Sequence, residues 1–190
     1  MREKLLIKRL LQRSASKTCA FYTLSVLYTN LPLLQNMTLV AIHSTFFPEY
    51  YVGLKAAGLT MFTPSGGGRV FASTNVATYE TFFLQRNDDG TVSFKSTVSN
   101  DVYIRVDGSN VSTAVHAGGQ GVVNGQYTAH SWEKFRLHKK DNQSSRYQIR
   151  VGIESAAFPG SFLRLDGRTG VVNVQGVFSD YEELEIFVLG

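Results

Sequence analysis

The chain has 190 residues, 43% of them hydrophobic and 18% charged, which is enough for one domain with a sizeable core and requires no second. The net charge of +4 comes from residues 1–36, where six bases (Arg2, Lys4, Lys8, Arg9, Arg13 and Lys17) face only Glu3, leaving 13 bases against 14 acids in the rest. That near-neutral remainder excludes the net positive stripe that phosphate binding needs, so nucleic acid is not expected as a partner.

Residues 1–36 read as a leader outside the fold. Lys4–Arg13 is basic and amphipathic, and Cys19–Tyr28 is apolar but interrupted by hydroxyls, a pattern similar to a weak signal or transit peptide. The stretch is too short and too polar to span a membrane, so no transmembrane segment is expected. The alternative is that Met37 is the true start. The expected location follows the choice: cytoplasmic if Met37 starts the protein, secreted if a signal peptide precedes it. Cys19, the only cysteine, lies in the leader, so residues 37–190 can form no intrachain disulfide, which mildly favours a reducing compartment. Sequons at Asn36, Asn110 and Asn142 carry little weight in a chain this rich in Ser and Thr.

From residue 38 onward the chain says nearly the same thing three times. Ile42–Ala56, Phe94–Gly108 and Ile153–Gly167 align without a gap as apolar, any, Ser, a turn and an alternating strand. A second block follows each, at Val70–Thr74, Val122–Gln126 and Val171–Gln175. A third closes it with an aromatic-Glu pair: Tyr79-Glu80, Trp132-Glu133 and Tyr181-Glu182. Three blocks in one order, three times over, form an internal repeat with copies at about 38–90, 91–141 and 146–189. Turn signals at Asn87-Asp-Asp-Gly90 and Lys140–Ser145, Gly-rich loops at 64–68 and 116–121 and short alternating runs predict an all-β closed or sandwiched architecture.

Period-two alternation sorts the first hairpin strand of each copy. Val102, Ile104 and Val106, with Val52, Leu54, Leu163 and Leu165, read as the core face. Tyr103, Arg105 and Asp107 point the other way, matching Phe162, Arg164 and Asp166 in the third copy. Together with Asn124 and Gln126, or Asn173 and Gln175, these residues form two equivalent candidate ligand sets. Amides and carboxylates supply the directional hydrogen bonds that a sugar hydroxyl needs, and Tyr103 or Phe162 offers an apolar face beside them. Copy one has Gly53, Lys55, Ala72 and Thr74 at the matched places and is expected to be degenerate. The same residues also read as ordinary turn dipeptides and amides bonding locally to backbone.

The repeat order, with its Val-x-[Phe/Ile]-x-Ser strand, Tyr/Phe-[Leu/Ile]-x-x-x-Gly strand and closing aromatic-Glu-x-Phe, resembles the fascin-like branch of the β-trefoil proteins. Phe158-Pro-Gly-Ser-Phe-Leu-Arg164 is also similar to carbohydrate-binding trefoils of the arabinofuranosidase-associated kind. The resemblance covers residues 38–189. It implies a β-trefoil of three pseudo-symmetric repeats preceded by a non-trefoil leader, forming a single domain over 37–190. On that fold Tyr79, Trp132 and Tyr181, with Phe82, Phe135 and Leu184, are expected to plug the barrel. Ricin-type trefoils carry Gln-x-Trp where this chain has aromatic-Glu-x-Phe, which disfavours that branch.

Nothing in the sequence argues for catalysis, and no cofactor is expected. Glu80, Glu133 and Glu182 recur once per copy, too scattered for paired carboxylate chemistry, and read instead as partly buried acceptors for a backbone N–H. The histidines, His43, His116, His130 and His138, show no zinc spacing and no acidic company, so no metal is expected. The expectation is a non-enzymatic module for carbohydrate or glycoprotein. The fascin resemblance implies actin binding as the alternative, and a trefoil protease inhibitor comes third. Oligomeric state is not readable.

Overall fold

In a computed structural model of the chain, residues 37–63, 65–108, 121–140, 145 and 147–189 are described, all within the compact unit Gln35–Gly190. The expectations for residues 1–36, for the three sequons and for most of the 116–121 loop lie outside them. The described residues are all-β, apart from one 3-10 turn, Thr78–Glu80. No helix among them is long and apolar enough to cross a membrane.

Each sequence copy supplies four strands. Copy one forms β1 (Met37–Ser44), β2 (Tyr51–Lys55), β3 (Arg69–Ser73) and β4 (Thr81–Arg86). Copy two forms β5 (Val92–Ser96), β6 (Val102–Asp107), β7 (Val122–Tyr127) and β8 (Phe135–Lys139). Copy three forms β9 (Gln148–Ser155), β10 (Phe162–Asp166), β11 (Val171–Gln175) and β12 (Glu183–Val188). The first and last strand of each copy pair in the order β1-β4-β5-β8-β9-β12 and back to β1, a ring that closes on itself. Closure joins strand edges that would otherwise be left open. The middle strands form hairpins β2–β3, β6–β7 and β10–β11. These hairpins meet one another through Val171↔Phe71, Asn173↔Val122 and the bridge Gly67↔Gly125.

Alternation explains the core. Val40 and Ile42 of β1, Phe82 of β4, Phe94 of β5, Phe135 of β8, Ile153 of β9 and Leu184 of β12 are buried in one cluster with Val52, Leu54, Ile104, Leu163 and Leu165 from the hairpins. No single hairpin could bury that apolar face alone. The three glutamates act as expected: Glu80, Glu133 and Glu182 are buried and accept the backbone N–H of Ala77 (2.9 Å), His130 (2.8 Å) and Ser179 (3.0 Å). Each therefore ties down the turn that leads into the last strand of its copy.

Two expectations are corrected. Tyr79, Trp132 and Tyr181 do not join the core plug, which Phe82, Phe135 and Leu184 fill without them. In copies two and three the ring lies over an arginine: Trp132 over Arg105 at 4.5 Å and Tyr181 over Arg164 at 4.7 Å. A residue directly before an inward-facing glutamate has no reason to share its direction. The second correction concerns register. Gly53, Arg105 and Arg164 pair with Phe71, Asn124 and Asn173, so the copy-one counterpart of the two asparagines is Phe71 and not Ala72. The counterpart of Gln126 and Gln175 is Ser73, not Thr74. A one-residue slip between two apolar-rich segments is invisible until the ladder is paired.

Candidate functional site

The ten candidate residues fall on two hairpins at corresponding positions. In β6–β7 the pairs are Tyr103↔Gln126, Arg105↔Asn124 and Asp107↔Val122. In β10–β11 they are Phe162↔Gln175, Arg164↔Asn173 and Asp166↔Val171. Each hairpin brings its own set together, on the face opposite its core residues.

That face is covered rather than open. Arg105 is 4% and Arg164 6% exposed, and Asp107, Asp166 and Asn124 are also buried. Arg105 lies 3.6 Å from both Asp107 and Glu133, and donates to Asn124 Oδ1 at 3.1 Å. Arg164 donates to Asp166 at 3.2 Å and to Asn173 Oδ1 at 3.5 Å, and lies 3.7 Å from Glu182. The two networks are the same arrangement built twice: an arginine between two carboxylates, an asparagine and an aromatic face. Cations stack well on such faces, and a buried arginine is tolerated when its charge is matched in this way. The copy-one loop reinforces the first network, because the Ser65 carbonyl accepts from Arg105 and from Asn124. Gly66 has φ +68°, and a Cβ there would meet the Asn124 amide at 2.8 Å, so only glycine permits this approach.

The electrostatics fit a structural brace. Burial pushes the Glu133 and Glu182 carboxyls above their ordinary values, against the opposing pull of backbone N–H groups and the arginines. Asp166 moves down: burial works against it, but the Arg168 backbone N–H and the Arg164 guanidinium outweigh burial. Groups already committed to one another have little left to offer a ligand directly, so these six charged and amide residues can set the shape of the surface above them.

The hairpin ends differ between the copies: Tyr103, expected to offer an apolar face, is buried in copy two, whereas Phe162 is only partly covered in copy three. Tyr103 donates from its hydroxyl to Gln85 at 3.2 Å, under the ammonium of Lys95. Gln126 keeps a buried Oε1 with no hydrogen-bond partner. In copy three, Phe162 stacks on the exposed Phe178 with ring centroids 5.3 Å apart and planes at 22°, and His138 meets its edge at 5.4 Å. His138 Nε2 lies 2.7 Å from Glu154, which also accepts the Gly160 N–H at 2.6 Å. The result is an aromatic shelf with a carboxylate, an imidazole and the Gln175 amide beside it. A flat apolar surface rimmed by directional acceptors and donors is the form a sugar ring fits.

Sequence reasoning missed Phe178, His138 and Glu154. The available signal was Gly152 in the middle of β9: an added Cβ would lie 3.0 Å from Phe178 and 3.2 Å from Phe162, so the glycine marks where the rings lie against the strand. The histidines also have more acidic company than their spacing suggested, since His43 Nε2 lies 2.6 Å from Glu185. These remain pairs; among the described residues no group of three or more His, Cys, Asp or Glu could hold a metal.

No protein-family model and no curated protein matches the chain. Solved structures share its fold at low identity. A mosquitocidal holotoxin matches 85% of this chain with a TM-score of 0.60 and 14% identity. SeviL, in a structure bound to asialo-GM1 saccharide, matches 81% of this chain and 99% of its own, with a TM-score of 0.53 and 10% identity. The Polyporus squamosus lectin, bound to the human-type influenza-binding epitope Neu5Aca2-6Galb1-4GlcNAc, matches 80% of this chain with a TM-score of 0.54 and 14% identity. The chain spans only 18% of the holotoxin chain and 49% of the lectin chain. These likenesses establish a shared fold; two of the three proteins were solved with a saccharide bound.

Proposed function

We propose that residues 37–190 form a β-trefoil that acts as a non-enzymatic carbohydrate-binding module. The six-stranded ring with one hairpin per copy supports the trefoil reading. The observation that carries the function is the shelf of Phe162 and Phe178 with Glu154, His138 and Gln175 at its rim, on a fold shared with two saccharide-bound proteins. Phe162 and Gln175 make the contacts; in copy two Tyr103 is buried and only Gln126 is partly open. Arg105, Asp107, Asn124, Arg164, Asp166 and Asn173 act from beneath as positioning residues. Copy one, with Gly53 and Phe71 in place of the arginine and asparagine, has no such network and binds nothing.

A glycan array on the full chain tests this. Binding of a defined glycan subset is expected, with Phe162→Ala reducing the signal at least about tenfold, because stacking on an aromatic face contributes of the order of a kcal/mol or more. A silent array combined with co-sedimentation on actin filaments would replace this reading with the fascin-like alternative. The near-neutral balance of 13 bases and 14 acids in residues 37–190 weighs against an acidic filament as partner. Among the described residues no observation favours the protease-inhibitor reading.

A further inference from the structure

The three copies are equivalent in plan, yet one junction between them differs from the other two. Where the last strand of a copy meets the end of the next copy's first strand, junction one is filled by Thr97, whose hydroxyl bonds Thr81 Oγ1 at 2.8 Å and the Thr78 carbonyl at 3.0 Å. Junction three carries the half-exposed Phe46, whose ring lies 5.1 Å from Tyr181. At junction two the corresponding residues are Ala156 and Ala157, and an open cleft of about 630 Å³ takes the place of the missing side chains.

A second departure enlarges the same place. Strands β1 and β9 run for eight residues, whereas β5 has five. The turn Asn87–Gly90 ends the β4–β5 hairpin early, with Gly90 at φ +79° and Asn87 bonded to Thr91 and Ser93. The β1–β4 and β9–β12 joins run over five residue pairs each; the β5–β8 join is the single pair Val92↔Phe135. The ladder that β5 does not continue leaves Asp89, Thr91, Lys134 and Arg136 lining the cleft, with His130 and Ser131 at its end.

The charge there is equally specific. The positions of Lys134 and Arg136 are Thr81 and Phe83 in copy one and Glu183 and Glu185 in copy three. Only copy two is cationic. Lys134 bonds Asp89 at 2.7 Å, at a site half open to water where such a pair is exchangeable. Arg136 donates from Nη1 to the Ala156 carbonyl at 3.1 Å, which fixes a planar fork at the wall while using only part of it. A guanidinium and an ammonium lining one cleft, with the Ser131 hydroxyl also in the lining, match a carboxylate or sulfate oxygen set.

The geometry points to a second subsite in this cleft that takes the anionic group of an acidic glycan, a carboxylate or a sulfate, through Lys134 and Arg136. It rests on the carbohydrate reading and gives that reading a ligand class: acidic over neutral saccharides.

Matched pairs on a glycan array test it, each neutral glycan printed beside its sialylated and its sulfated form; whichever anionic arm is preferred identifies the source. The anionic form is expected to bind about tenfold more strongly. Arg136→Gln and Lys134→Gln should each bring the pair close to parity, and Lys134→Gln should leave the neutral glycan unchanged. Ala157→Phe, which installs the copy-one residue, should block the anionic form. Melting curves confirm that each variant is folded, and the two glutamine variants suffice if the phenylalanine does not fit. Neutral and anionic glycans binding equally, or a preference that survives both glutamine variants, would overturn the subsite and leave the shelf standing. An array with no binding at all would overturn both.

Discussion

Gly53 stands in copy one where the other copies carry the network arginine, and its strand partner Phe71 stands where they carry the asparagine. A Cβ at Gly53 would lie 2.7 Å from the Phe71 ring and 3.1 Å from Glu80, so the ring occupies the volume that an arginine stem fills in the other copies. Gly53→Ala is therefore expected to destabilise by roughly 1–3 kcal/mol through overpacking, and most of that loss should disappear when Phe71 is also reduced to Val. A double-mutant cycle from urea denaturation checks this; additive effects, with coupling below about 0.5 kcal/mol, would mean that the two residues do not share the space. The buried carboxylates give a second residue-scale prediction. Glu182 is raised above the ordinary 4.5, chiefly by burial, and its Oε1 has no hydrogen bond. Its contribution to stability is fully present below pH 4.5 and is lost as pH rises through the raised value. Glu154 has the opposite shift: burial is outweighed by the Gly160 N–H and His138, so its contribution is present above 4.5 and is lost as pH falls through the lowered value. From pH 4 to pH 7 the stability of Glu182→Gln should gain on the wild type while that of Glu154→Gln falls behind it. Parallel trends in denaturant titrations would contradict the assignment. At this scale the sequence was legible wherever the repeat spoke three times, as with the turn-bonding glutamates. It was illegible where partners are distant: nothing links His43 to Glu185 until β1 and β12 lie side by side.

Strands were legible from alternation because one face of each is buried, and period two then has only one consistent reading. The register of β3 was not, since Val70-Phe71 and Val122-Val123 look alike when only apolar character is compared. The turn at Asn87–Gly90 was visible as a turn, but its consequence, a shortened β5 that leaves one side of β8 paired at Phe135 alone, depends on which strand stands opposite. The candidate site divides the same way: the two hairpin sets were legible because each lies within one copy, whereas the shelf draws Phe178, His138 and Glu154 from separate strands and loops. The short β5 makes a prediction at the scale of the element. β4 and β12 are paired on both sides along their length, whereas β8 is paired with β9 along its length and with β5 at Phe135 alone. Hydrogen exchange should therefore protect β4 and β12 continuously and β8 at alternate amides, those facing β9. Uniform slow exchange from Arg136 to Lys139 would show that some other segment covers that edge.

The ring allows no copy an independent existence, because every copy is paired to both of the others and all three feed one core. Phe94 of copy two packs between Phe82 of copy one, at 6.5 Å, and Phe135, at 5.7 Å, and is fully buried. Removing its ring leaves a cavity that two copies share, and Phe94→Ala should cost about 3–5 kcal/mol. The manner of the loss is the sharper expectation. If the closed ring is the cooperative unit, the variant still unfolds in one transition, with far-UV circular dichroism of the strands and the fluorescence of Trp132 moving together to a lower midpoint. If copies two and three were instead held mainly by their own arginine networks, Trp132, which lies on one of them, would report a later transition than the strands. Coincident curves would make those networks local braces on a shared core, which is the role their burial and near-identical geometry in two copies support.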